Sequence, residues 1–182
     1  MNNDIEHEGK VLNIDVKQMR SKLQSLKATK IADYQFKRYV FDTIPTTRNR
    51  WVRLRSDGTK TTLTVKEIQT NAVDGTLEWE VDVSDIATTL TILEKIGITP
   101  RGYQHNTREE YELDGAIISI DHWPRLAPYL EIEAANVEQV FSVGAVLGIE
   151  AKDIIGDNTE TLYKQIGVDL QTLAVLDFVA GK

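Results

Sequence analysis

Residues 51–83 read WVRLRSDGTKTTLTVKEIQTNAVDGTLEWEVDV. Apolar residues, many of them β-branched or aromatic, alternate there with polar and charged ones at a period of two. The runs are separated by Ser56-Asp57-Gly58 and Asp74-Gly75, turn sequences in which glycine is expected to supply a positive φ. This predicts three antiparallel strands over residues 51–55, 61–67 and 76–83. One face of each is chemically selective: Arg53 and Arg55 on the first, Thr64 and Lys66 on the second, Glu78, Glu80 and Asp82 on the third. The opposite face is almost entirely apolar.

The same alternation recurs at both ends of the chain. Residues 5–14 place Glu6, Glu8 and Lys10 on one face, and residues 129–133 place Glu131 and Glu133 on one face. Further strands are predicted over 36–42, 99–111 and 116–121, the last two joined by Asp114-Gly115. Asp15 can cap a helix carrying Val16, Met19, Leu23 and Leu26 on one side. Ser84 can cap a second with Ile86, Leu90, Leu93 and Ile96, ending at Gly97. Asn136 can start a third with Val140, Val143 and Leu147. The tail holds a short helix from Thr159 through Leu162 to Ile166, and a further one through Leu176. About eight strands over this length predict an α+β fold, an eight-stranded antiparallel β-barrel with helices packed outside.

The 182 residues contain no internal repeat, low-complexity tract or linker, so a single domain over 1–182 is expected. The absence of cysteine excludes disulfides and thiolate metal sites and suits the cytoplasm. A net charge of -7 argues against a nucleic-acid partner. The first ten residues show no signal-peptide pattern, and no stretch approaches the roughly 18 apolar residues of a membrane span. A homodimer is compatible with all of this.

Charges on one strand alone would normally face water. Here every strand repeats the device, with carboxylates on the first and last strands and mostly arginine or lysine between. Amphipathic helices can cover the apolar faces from outside, which turns the charged faces inward. Unpaired, such charges would cost several kcal/mol each, so the interior should be a tunnel holding water or a ligand. Lys10, Arg53, Arg55, Lys66 and Arg108 offer the heads and forks that bind phosphate. Glu6, Glu8, Glu80, Asp121, Glu131 and Glu133 offer hard oxygens suited to Mg²⁺ or Mn²⁺. Both together suit a polyphosphate with its metal.

The ordered set Glu6-His7-Glu8-Gly9-Lys10, Arg53-Leu54-Arg55, Lys66, Glu78-Trp79-Glu80, Arg108, Asp121 and Glu131-Ile132-Glu133 resembles the CYTH superfamily, the triphosphate tunnel metalloenzymes. Its members include class IV adenylate cyclases, thiamine triphosphatases and inorganic triphosphatases. The resemblance implies an eight-stranded tunnel barrel. It implies that Glu6, Glu8, Asp121, Glu131 and Glu133 hold one or two divalent ions and that Lys10, Arg53, Arg55, Lys66 and Arg108 bind a small-molecule triphosphate. Glu80 would bind metal or orient a basic group. The expected activity is triphosphate hydrolysis. Cyclisation of ATP to cyclic AMP and noncatalytic polyphosphate binding stand as alternatives.

Two features depart from the pattern. Hydrolytic relatives often carry a lysine shortly before the arginine matched by Arg108; here Gln104, His105, Asn106 and Thr107 precede it, and only His105 could act on water. For the lysine that some relatives supply from the C-terminal helix, Lys152 and Lys164 are candidates. His7 and His122 have the parity of structural residues. Trp51, Trp79 and Trp123 read as core, with Trp123 the one close enough to Asp121 to do more. Arg125 reads as solvated, and Arg48 and Arg50 could steer an anion.

Overall fold

The computed structural model describes residues 4–178; residues 1–3 and 179–182 of the expected domain lie outside the described residues. In chain order the elements are β1 (Asp4–Val11), α1 (Val16–Ser25), β2 (Thr29–Thr47), β3 (Arg50–Ser56), β4 (Thr61–Ile68), β5 (Thr76–Val83), α2 (Ile86–Lys95), β6 (Pro100–Leu113), β7 (Ala116–His122), β8 (Tyr129–Ala134), α3 (Val137–Leu147), α4 (Thr159–Gln165) and β9 (Val175–Leu176). A 3₁₀ turn at Ala151–Asp153 precedes α4.

Strands β1 to β8 form a closed antiparallel barrel in the order β2-β3-β4-β5-β1-β8-β7-β6. Pairing of β2 with β6, from Thr29↔Glu112 to Phe41↔Pro100, closes it. In this cyclic order β1 and β8 stand diametrically opposite β2 and β3. The two-residue strand β9 adds in parallel to the outside run of β6 at Tyr103 and Gln104.

Outward positions of the strands meet the helices. Ile118, Ile120, Leu130 and Ile132 pack with Val140, Val143 and Leu147 of α3 and Leu23 of α1. Phe41 and Leu54 pack with Leu93 of α2. Trp123, Tyr129, Leu162, Tyr163, Leu170 and Leu176 form a third cluster, which seats α4 at one end of the barrel. A fully buried leucine or isoleucine contributes about 1.5–3 kcal/mol. Most of the core therefore lies outside the barrel wall, and the inward face is left mainly to polar side chains, with Phe36, Val40 and Trp51 among them.

The helix caps at Asp15 and Asn136 form as the sequence implies, each side chain accepting an amide hydrogen three residues on. Several local expectations change. Strand β1 stops at Val11, short of 14, because the chain turns into the Asp15 cap; β2 runs 19 residues where 36–42 was expected. Asp85, one residue after Ser84, caps α2 through a 2.6 Å bond from Thr88 N. The tail towards Leu176 forms β9 in place of a second helix, with Tyr103 N donating to Ala174 O. Trp79 is 38% exposed on the outer face of β5, outside any core.

Gly58 and Gly115 adopt φ values of 96° and 76°, as turn glycines should. Gly75 does not take a positive φ. A Cβ there would lie 2.1 Å from the carbonyl oxygen of Thr70, so glycine is required by backbone approach in the β4–β5 loop. Gly75→Ala should lower stability by roughly 1–3 kcal/mol in urea unfolding; unchanged stability would show that the loop relaxes freely.

Candidate functional site

Strand parity directs the charged faces into one cavity of about 630 Å³. Glu6, Glu8, Lys10, Arg53, Arg55, Lys66, Glu80, Arg108, Glu131 and Glu133 all line it. Asp121 projects to the same inward side, fully buried and held against Arg108, and does not itself line the cavity. The residues singled out across 128 positions of sequence thus come together, because antiparallel register sets them level: Lys10↔Glu131 and Glu8↔Glu133 on β1 and β8, Thr64↔Glu80 and Lys66↔Glu78 on β4 and β5, Arg108↔Asp121 on β6 and β7.

Most of the charges are compensated. Lys66 Nζ lies 2.8 Å from Glu6 and 2.7 Å from Glu78. Arg53 reaches Glu78 and Glu80, each at 3.3 Å, and Thr64 donates to Glu80 at 2.7 Å. Lys10 pairs with Glu8 and lies 3.4 Å from Glu131. Arg108 bridges Asp121, at 2.5 Å, and Glu131. Asn106 Nδ2 donates to Asp121 at 2.9 Å.

Two guanidiniums lack such partners. Among the described residues neither Arg38 nor Arg55 pairs with a carboxylate. Arg38 donates to Asn106 Oδ1 and lies 4.5 Å from the Trp123 ring; Arg55 lies 4.6 Å from the Phe36 ring. Burial and the charges of Arg53 and Arg108 lower Arg55 to about 10; burial and the charges of Arg53 and Arg55 lower Arg38 well below its usual value.

The carboxylates separate by environment. Burial pushes Asp121 up to about 6, helped by the negative charge of Glu131 and opposed by Arg108. Burial acts the same way on Glu131, but Arg108 and Lys10 outweigh it and hold Glu131 below the usual carboxylate range. Glu6 is pushed up by burial and brought net below its usual value by Lys66. Glu133 is raised by desolvation against the neighbouring wall and by the charge of Glu6, although it is exposed near the end of β8, and it has no ion pair among the described residues.

Among the described residues no three acidic side chains converge closely enough to hold a metal ion as they stand. The donor set nevertheless fits a hard cation. Glu6, Glu8, Glu131 and Glu133 project from the adjacent strands β1 and β8, and the raised Glu133 beside Glu6 is a like-charge crowding that a divalent ion would relieve.

Other expectations sort themselves by position. His105 turns away from the cavity, 3.3 Å from Asp177 and edge-on to Phe178, so it cannot reach water there. His7 and His122 also lie off the cavity lining, and His122 is 3.5 Å from Glu109. Lys152 is exposed beside Glu150, whereas Lys164 of α4 lines the cavity. Trp51, read as core, faces the cavity; Trp123 both packs with Tyr163 and lines the cavity. Arg48 lies at the rim, Arg50 pairs with Glu67 at 3.2 Å, and Arg125 is exposed. Sequence reading missed Arg38, Asn106 and Arg101, and named Glu78 without placing it in the site. The parity of β2, with Arg38 between Phe36 and Val40, was the available signal for Arg38.

The CYTH domain family matches residues 4–155 of this chain. No curated protein matches it by sequence. A protein of Pyrococcus horikoshii is similar in structure, with a TM-score of 0.72 and 20% identity over 84% of this chain and 96% of that one. A Vibrio parahaemolyticus protein described as a "putative adenylate cyclase" gives a TM-score of 0.75 at 12% identity, covering 90% and 99%. A Hippeastrum "putative adenylyl cyclase", described as having a dominant triphosphatase activity, gives 0.60 at 16% identity, covering 91% and 98%. At these identities the likeness shows the fold.

A carboxyl raised in the native state costs stability once it must ionise, so stability falls as pH rises from about 3.8 towards about 6. Asp121→Asn removes that titration. Its stability measured relative to wild type should therefore rise between pH 4 and pH 8, by up to about 3 kcal/mol; a pH-independent difference would mean that Asp121 titrates normally.

Proposed function

This chain belongs to the CYTH domain family, whose members bind triphosphates and are commonly metal-dependent enzymes, and on that premise we propose that it is a divalent-metal-dependent triphosphatase acting inside the barrel. One observation carries the reading: a wall of carboxylates on β1 and β8 faces a wall of guanidiniums on β2 and β3 across one cavity. A linear polyanion with a bound cation complements both walls, and neither a bare anion nor a bare cation does.

In this reading Glu6, Glu8 and Glu133 would hold the cation, with Glu131 beside them, and the cation would neutralise charge on the phosphate oxygens. Lys10, Arg53, Lys66 and Arg108 bind the triphosphate, exchanging carboxylate partners for phosphate oxygens. Asp121 holds Arg108 in the wall through its paired oxygens, and Glu80 holds Arg53. Phosphoryl transfer needs in-line positioning and charge stabilisation more than covalent catalysis. None of the three histidines lines the cavity, and in this reading the carboxylates of the β1/β8 wall would also orient the attacking water. Lys164 on α4 stands at the cavity end, paired with Glu160 at 2.7 Å, where it can meet a phosphate or the group attached to it.

The cavity falls within the roughly 300–1,000 Å³ that small-molecule pockets occupy. That volume supports a second reading, in which ATP enters and its ribose 3′-hydroxyl attacks the α-phosphorus to give cyclic AMP and pyrophosphate. The absence of cysteine suits a reducing compartment such as the cytoplasm.

With Mg²⁺ or Mn²⁺, the protein should release phosphate from tripolyphosphate, ATP or thiamine triphosphate. Chelation should abolish the release, and Glu6→Gln should reduce it about 100-fold or more. Cyclic AMP with pyrophosphate in the same assay would establish the second reading. Absence of every product from a folded protein would contradict catalysis on these substrates.

A further inference from the structure

Arg38 and Arg55 occupy directly opposed register positions on β2 and β3, both facing inward. Directly opposed like charges destabilise a sheet unless something lies between them. Every other cation deep in the barrel has a carboxylate within ion-pair distance; these two have none among the described residues. Arg38 is only 8% exposed, its Nε has no hydrogen-bond partner, and its single side-chain bond goes to the neutral Asn106. Asn106 is itself fixed, donating to Asp121 through its other amide atom. The Trp123 and Phe36 rings flank the two guanidiniums and accept their faces; of the hydrogen-bonding edges only Arg38 Nη2 is engaged, by Asn106, while Arg38 Nε is buried.

A buried cation held by an amide and two aromatic faces is costly in a protein that has no use for it. The cost is relieved by an anion that both forks can grip. The other tunnel cations give up a carboxylate when they bind phosphate, and the β1/β8 wall accepts phosphate only with a cation present. The Arg38–Arg55 pair requires neither change.

We propose that Arg38 and Arg55 together form a metal-independent seat for one end phosphate of a linear polyphosphate, on the side of the barrel opposite the β1/β8 carboxylates, so that Arg38 is a substrate-binding residue. The inference rests on the triphosphate reading above. It adds a polarity to the tunnel: one end of the chain is gripped by paired guanidiniums, and the remainder extends towards the carboxylate wall.

The test is calorimetric titration of the full chain with tripolyphosphate, once with EDTA and once with Mg²⁺. Wild type should bind in EDTA. Arg38→Met and Arg55→Met should each weaken that binding by roughly 10- to 100-fold. The double variant should lose less than the product of the two, because both forks hold one phosphate. Arg38→Lys keeps the charge but loses the fork, and should show a smaller loss; it decides the matter if Arg38→Met does not fold. Unchanged affinity in Arg38→Met or, in its place, Arg38→Lys overturns the assignment. Binding by wild type only with Mg²⁺ also overturns the seat while leaving the triphosphate reading intact. Failure of wild type to bind in either buffer overturns both.

Discussion

Closure of the barrel through β2 and β6 is the constraint on which the rest depends. Once Thr29–Phe41 pairs with Pro100–Glu112, the inward faces of eight strands enclose a space that bulk water no longer screens freely. Charges that would be cheap on an open sheet must then be paired, hydrogen-bonded or matched to a ligand. The register supplies the pairing for Lys10, Arg53, Lys66 and Arg108 by setting each level with a carboxylate on its own or a nearby strand. The same closure moves the apolar core outside, where α1, α2 and α3 cover it.

This inversion of the ordinary barrel makes function a consequence of electrostatics. With carboxylates and cations gathered in and beside one cavity, the pKa values spread apart: Glu131 is held low, Asp121 rises to about 6, and Glu133 rises beside Glu6. Such a spread marks groups that are waiting for charge rearrangement. On the proposed triphosphate reading, a polyphosphate and its cation would perform that rearrangement in one event, the anion taking the lysines and arginines and the cation taking the glutamates. The guanidinium wall and the carboxylate wall are separated by half the circumference of the barrel, so on the proposed reading a linear ligand would be oriented before any chemistry begins.

Much of this was legible from residues alone. Period-two alternation in residues 51–83 gave the strands, and the repeated selectivity of one parity, Arg53 and Arg55 against Glu78 and Glu80, pointed inward. Local expectations shifted where local chemistry competed: Asp85 sits one residue beyond Ser84 and is equally able to cap, and Val175–Leu176 is too short for periodicity to separate a helix from a strand edge. Gly75 looked like a turn glycine, and only three-dimensional approach to Thr70 shows the different reason for it. Arg38 stayed hidden because β2 carries polar residues on both parities, Lys37 outward and Arg38 inward, which blurs the alternation. Asp121 was recognisable as a site residue, but its full burial against Arg108 and Asn106 depends on the register of β6 and β7, which spacing alone does not give.

The most direct measurement is anomalous diffraction from crystals grown with Mn²⁺ and tripolyphosphate. Manganese should appear inside the barrel against the β1/β8 carboxylates, with the phosphate chain running towards the β2/β3 guanidiniums. A barrel whose internal ion pairs remain closed, with manganese and phosphate bound only outside it, would contradict the account.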